Sequence, residues 1–157
     1  MLIAVLISAI MIAVCFLIHL SVFIQTTRII RPEKHSVHCF MLGAGLITLA
    51  HIFEAVLFAG SFWVAEHWLG IGALTAAGAQ QLSLSFADYF YFSMANFTTL
   101  GRGDLVPTDH LRFITAIEAF VGFVLITTSG AFLLNILAGK SPIALGAVEV
   151  SISNRKT

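Results

Sequence analysis

Residues 98–104, Thr98-Thr99-Leu100-Gly101-Arg102-Gly103-Asp104, set two threonines and two alternate glycines into a strongly apolar chain. The stretch before them, LSLSFADYFYFSMANF (residues 82–97), is apolar and aromatic and has neither proline nor glycine. It is too short to cross a bilayer twice, so its length and polarity predict a re-entrant helix over residues 83–97. Ser83 or Ser85 is the expected N-cap. The helix must stop at Thr98-Thr99, because Gly101 and Gly103 free the backbone for conformations closed to other residues.

Non-helical backbone at membrane depth survives only where its polar groups face protein or a water-filled path. The carbonyls of residues 98–104 therefore need a ligand, and a dehydrated cation suits them best. Four copies around one axis would stack the carbonyls into rings that replace a hydration shell. The re-entrant helix adds its negative C-terminal end, aimed at the cavity below.

Composition agrees with a membrane setting. Of 157 residues, 59% are hydrophobic and only 10% are charged, where a soluble domain carries about 25% charged residues. The formal net charge of zero implies no nucleic acid. Residues 2–25 are almost unbroken apolar, long enough to cross about 30 Å of hydrocarbon. They lack a basic leader and a clear cleavage site, which favours a retained helix over a signal peptide. Further spans are read at Val37–Ala65 and Leu111–Ala138. Cys15 and Cys39 then fall at different depths, so no disulfide is expected.

Charge orients the spans. Arg28, Arg31 and Lys34 follow the first, and Lys140, Arg155 and Lys156 follow the third. Both stretches are expected on the cytoplasmic side of the cell (inner) membrane, with the N-terminus outside. The resulting organisation is an N-terminal transmembrane helix (1–27), a basic loop (28–36), a pore domain (37–138) and a short tail (139–157).

Residues 89–104, YFYFSMANFTTLGRGD, resemble the pore helix and filter of the two-transmembrane pore-loop potassium channel superfamily. Leu105-Val106-Pro107 followed by a glycine-bearing apolar helix continues the likeness. The sequence is also similar to short bacterial ion-channel proteins, through His51 and Glu54 in the outer helix and Glu118, Ala119 and Gly122 in the inner one. The likeness spans roughly residues 40–138. It implies an all-α membrane protein with three transmembrane helices, a re-entrant pore helix and an extended selectivity filter, assembled as a homotetramer in the lipid bilayer. It implies carbonyl rings from Thr99, Leu100, Gly101 and Arg102, with Gly103 at the outer mouth. Thr98, Asp104, Tyr91 and Phe92 would support the filter. Potassium ions are the expected ligand, with no organic cofactor and no other metal.

Arg102 departs from the pattern, since the family generally has tyrosine or phenylalanine there, and Ala95 offers no carboxylate to pair with Asp104. The Arg102 side chain should point away from the ion path. Stacking on Tyr91 or Phe92, or pairing with Asp104, would hold it. Read instead as an adhesion tripeptide, Arg102-Gly103-Asp104 would need an exposed loop tip, and its place behind a membrane-depth helix argues against that.

Ionisable residues within spans default to a functional hypothesis. His51 and Glu54, three apart, share a helix face, and Glu118 is expected at a similar depth. One reading is a regulatory proton or metal site built from His51, Glu54 and Glu118. The other, which we favour, is a hydrogen-bonded cluster docking the helices on the pore helix through Asn96, Thr98 or Ser93. The His-x-x-Glu pair is similar to those of carboxylate-bridged metal bundles, but those use two such motifs and the chain has one. His19 reads as a packing residue. On the third span Phe123, Ile126, Thr127, Gly130 and Leu134 form a stripe that would line the inner cavity. Gly122 or Gly130 would let that helix bend, and helix packing explains the same glycines equally well.

No span carries arginines at three-residue intervals, and the tail is too short for a soluble regulatory domain. No nucleophile–base pair suggests an enzyme. The expectation is a tetrameric pore passing monovalent cations, potassium foremost, through its TLGRG filter. The alternatives are a non-selective or non-conducting pore-like subunit because of Arg102, and an intramembrane metal or proton sensor.

Overall fold

The computed structural model describes residues 1–29, 36–76, 84–101 and 104–140. Helices α1 (Leu2–Ile29), α2 (Ser36–His67) and α4 (Leu111–Leu137) are each long and apolar enough to cross a membrane. A shorter helix, α3 (Phe86–Phe97), lies between α2 and α4 in the chain. The three long helices match the spans read from the sequence to within a few residues, and the chain is a multi-pass membrane protein.

The pore helix starts later than residue 83, at Phe86, with Ser85 as its N-cap. The reason is local. The N–H and the hydroxyl of Ser85 both donate to Asp88 Oδ2, each at 2.7 Å, which closes a capping box at that register. These bonds hold the Asp88 carboxyl below the usual carboxylate range. Ser83, the other expected cap, lies outside the described residues.

Two short strands were not foreseen. β1 (Leu74–Ala76) pairs antiparallel with β2 (Leu105–Pro107), in the register Leu74↔Pro107, Thr75↔Val106, Ala76↔Leu105. Thr108 extends the ladder by donating its N–H to the Ala73 carbonyl at 2.9 Å. Glu66, near the end of α2, braces this ribbon to α3. Its Oε2 accepts from Tyr89 Oη at 2.8 Å and from the Leu74 N–H at 3.0 Å. Burial and then the Glu66 carboxylate push the Tyr89 phenol above its ordinary range, which keeps it a donor. Tyr89→Phe is expected to cost about 1–3 kcal/mol, read as a lower Tm of the detergent-solubilised chain. An unchanged Tm would leave the bracing to the Leu74 contact alone.

The core forms where α3 packs between α2 and α4. Phe58, Phe62, Phe92, Phe97, Leu111 and Ile114 are all buried there. Phe62 and Phe92 meet edge to face at 5.2 Å, a favoured aromatic geometry. Helix α1 joins through a single face of small and polar residues: Ala4, Ser8, Met11, Cys15, His19 and Thr26 are buried. The remainder of α1, including Leu2, Leu6, Ile10 and Leu17, is exposed, as suits a lipid-facing surface. No disulfide joins Cys15 and Cys39.

Candidate functional site

The first residues after the pore helix form a turn. Thr98 is the C-cap of α3, and Thr99 and Gly101 take positive φ of 58° and 61°. The Thr99 N–H donates to the Asn96 carbonyl at 2.8 Å and the Gly101 N–H to Ala95 at 3.0 Å. Thr98, Thr99, Leu100, Gly101 and Asp104 are all exposed. Arg102 and Gly103 lie outside the described residues. Of the aromatic supports named from the sequence, Phe92 is buried against Phe62, whereas Tyr91 is half exposed.

The end of α3 rests on α4. A Cβ built at Gly122 would lie 1.9 Å from the Phe97 carbonyl oxygen. Gly122 is therefore a close-approach glycine, as the packing reading of it expects. At Gly130, by contrast, a Cβ would meet nothing within 4 Å. Phe123, Ile126, Thr127, Gly130 and Leu134 are all exposed on α4, as are Phe120, Thr128 and Ala131.

The intramembrane polar residues divide into two groups. Glu118 is fully buried and accepts from Ser93 on α3. The Ser93 hydroxyl also faces the Ala55 carbonyl at 2.7 Å. Ser93, one of the three docking partners expected, thus sits between α2 and α4 and contacts both. Asn96 and Thr98 instead bond back to carbonyls of their own helix. The second oxygen of Glu118 has no partner among the described residues.

Glu54 belongs to the other group. It is fully buried, and its two oxygens face two imidazoles: His19 Nδ1 to Oε1 at 3.1 Å and His51 Nδ1 to Oε2 at 3.2 Å. The opposite nitrogens converge on Ser129 of α4, His19 Nε2 at 2.9 Å and His51 Nε2 at 3.2 Å from Oγ. The rings stack with centroids 5.0 Å apart, and His51 also lies 5.6 Å from the ring of Phe97.

His51 and Glu54 are brought together as expected. Glu118 joins Ser93 in place of them, because the pore helix lies between α2 and α4 at that level. His19 is packed as read, buried against Phe23 and His51, and is in addition a hydrogen-bonded member of the cluster. Its signal was present in the sequence: Ser8, Cys15, His19 and Thr26 recur at helical spacing and mark the packed face of α1. Ser129 carried no comparable signal, lying 110 residues from His19.

Residues 46–138, well over half of the chain, match a family model described as Ion channel. No curated protein and no solved structure matches the chain.

Proposed function

We propose, from the premise that this chain belongs to the Ion channel family through residues 46–138, that four copies close a pore passing monovalent cations passively, potassium foremost. The observation that carries this reading is the end of α3. A pore helix packed between two spanning helices delivers Thr98–Gly101 to the surface, with the N–H groups of Thr98, Thr99 and Gly101 bonded back to the helix and the segment otherwise exposed. Its remaining partners must come from other copies and from ions, and one pore segment per chain calls for four copies.

In this assembly the carbonyls of Thr99, Leu100, Gly101, Arg102 and Gly103 line the ion path. Tyr91, exposed in the single chain, meets a neighbouring copy. The exposed stripe of Phe123, Ile126, Thr127, Gly130 and Leu134 lines the cavity below. Basic residues at and beyond the ends of α1 and α4 support a cytoplasmic C-terminus and an N-terminus outside an inner membrane.

Two measurements test this. The detergent-solubilised particle is expected to have the protein mass of four 17.0 kDa chains. Proteoliposomes with a potassium gradient are expected to pass potassium faster than sodium, without added energy. A monomeric or dimeric particle, which cannot close a ring of carbonyls, would overturn the reading. Equal potassium and sodium flux would favour the non-selective alternative.

A further inference from the structure

The cluster of His19, His51, Glu54 and Ser129 has five polar contacts, each needing one bridging proton. Four have been described; the fifth runs from Ser129 Oγ to the Leu125 carbonyl at 2.7 Å. Two neutral imidazoles, one ionised carboxylate and one hydroxyl bring three protons. Two contacts are therefore left with lone pair facing lone pair, in a buried place where such pairs are costly.

One choice of tautomers places both short contacts at Glu54. When each imidazole carries its proton on Nε2, both rings donate to Ser129 Oγ and the hydroxyl donates to Leu125. All three protons are then used. What remains is Nδ1 of His19, Nδ1 of His51 and the two oxygens of Glu54, four acceptors with nothing between them.

We propose that His19 Nδ1, His51 Nδ1 and the Glu54 carboxylate hold one divalent transition-metal ion of the zinc class, with Ser129 orienting both rings. Nitrogen–oxygen separations of 3.1 and 3.2 Å fit donors about 2.0–2.2 Å from a shared ion. One donor atom from each of the three residues lies within 4.8 Å of the others. Two imidazoles and a carboxylate are the donor set that zinc takes where it keeps an open position. Ser129 has the place of the outer partner that fixes the tautomer of a metal-ligating histidine. Two added protons would satisfy the same contacts, but they would stack two imidazolium charges at 5.0 Å. A single ion places its charge between the rings and beside the carboxylate. The His51 side chain is 18% exposed, so the site has an approach.

Such a site fastens α1, which lies outside the matched family segment, to the pore domain one ring contact from Phe97. The proposal rests on the cluster and not on conduction, so metal binding and ion flux fail separately.

The full chain in detergent, stripped with a chelator and titrated with Zn²⁺ alone, is expected to bind one equivalent per chain. His19→Gln and Glu54→Gln are expected to weaken binding at least about 100-fold, and Ser129→Ala about 10-fold. Glu118→Gln, whose carboxylate serves Ser93, should bind zinc as wild type does. Loaded with Co²⁺ instead, the wild-type chain should show a visible ligand-field band that Zn²⁺ displaces. No zinc uptake by a helical, assembled wild type overturns the proposal. So does uptake that survives His19→Gln, which would assign the ion to His38, His67 or His110. Should His19→Gln fail to assemble, the wild-type cobalt band decides, and its absence overturns the site.

Discussion

Gly122→Ala is expected to lower flux at least about tenfold and to lower the Tm of the assembled particle. The new Cβ would lie 1.9 Å from the Phe97 oxygen and 2.7 Å from its carbonyl carbon. These are backbone atoms, so no rotamer change relieves the clash. Helix α4 or the end of α3 must move by roughly 1 Å or more to restore an ordinary contact. Overpacking of this kind costs about 1–3 kcal/mol. Phe97 is joined to Thr98, so any displacement passes directly into the proposed filter. Gly60→Ala is the control, since a Cβ there meets nothing within 4 Å. It exchanges a glycine for alanine inside a helix and should leave stability equal or slightly higher. Normal flux and Tm in Gly122→Ala would mean that α4 can slide past α3 freely, and the close approach would then have no functional weight.

Which features could be read from the sequence follows from how local their causes are. The spans show in it because lipid solubility is a property of about twenty consecutive residues. The pore helix shows because an aromatic run is bounded by polar caps and a glycine pair. The pairing of His51 with Glu54 needs only helical periodicity. The ribbon of β1 and β2 depends on residues about thirty positions apart finding one register, as Thr75 and Val106 do. Three-residue strands carry too little alternation to announce themselves. The cluster is harder still. Its members come from three helices, and Glu54 turns toward His19 and not Glu118 because the pore helix intervenes. Only the stripe of small and polar residues on α1 hinted that this helix packs through the His19 face.

Arg102→Tyr is expected to raise potassium flux about tenfold at low ionic strength, with the gain shrinking as salt is added. In the proposed tetramer, four copies would bring four guanidiniums to one filter. Each acts on a nearby cation with about 1 kcal/mol in water and more where the dielectric falls. Uncompensated, about 4 kcal/mol would empty the outer mouth of cations by roughly a thousandfold. Asp104 follows two residues later and is exposed, so four carboxylates offset most of that field. A residue of about 1.4 kcal/mol leaves the tenfold effect. The screening length falls from about 30 Å at 0.01 M to about 10 Å at 0.1 M, so the two proteins should converge as salt rises. Asp104→Asn tests the offset from the other side and should lower wild-type flux, most at low salt. A variant-to-wild-type ratio that stays at one across the salt series would remove electrostatics from the account of Arg102. A raised ratio that ignores salt would assign the arginine's effect to its size and shape in place of its charge.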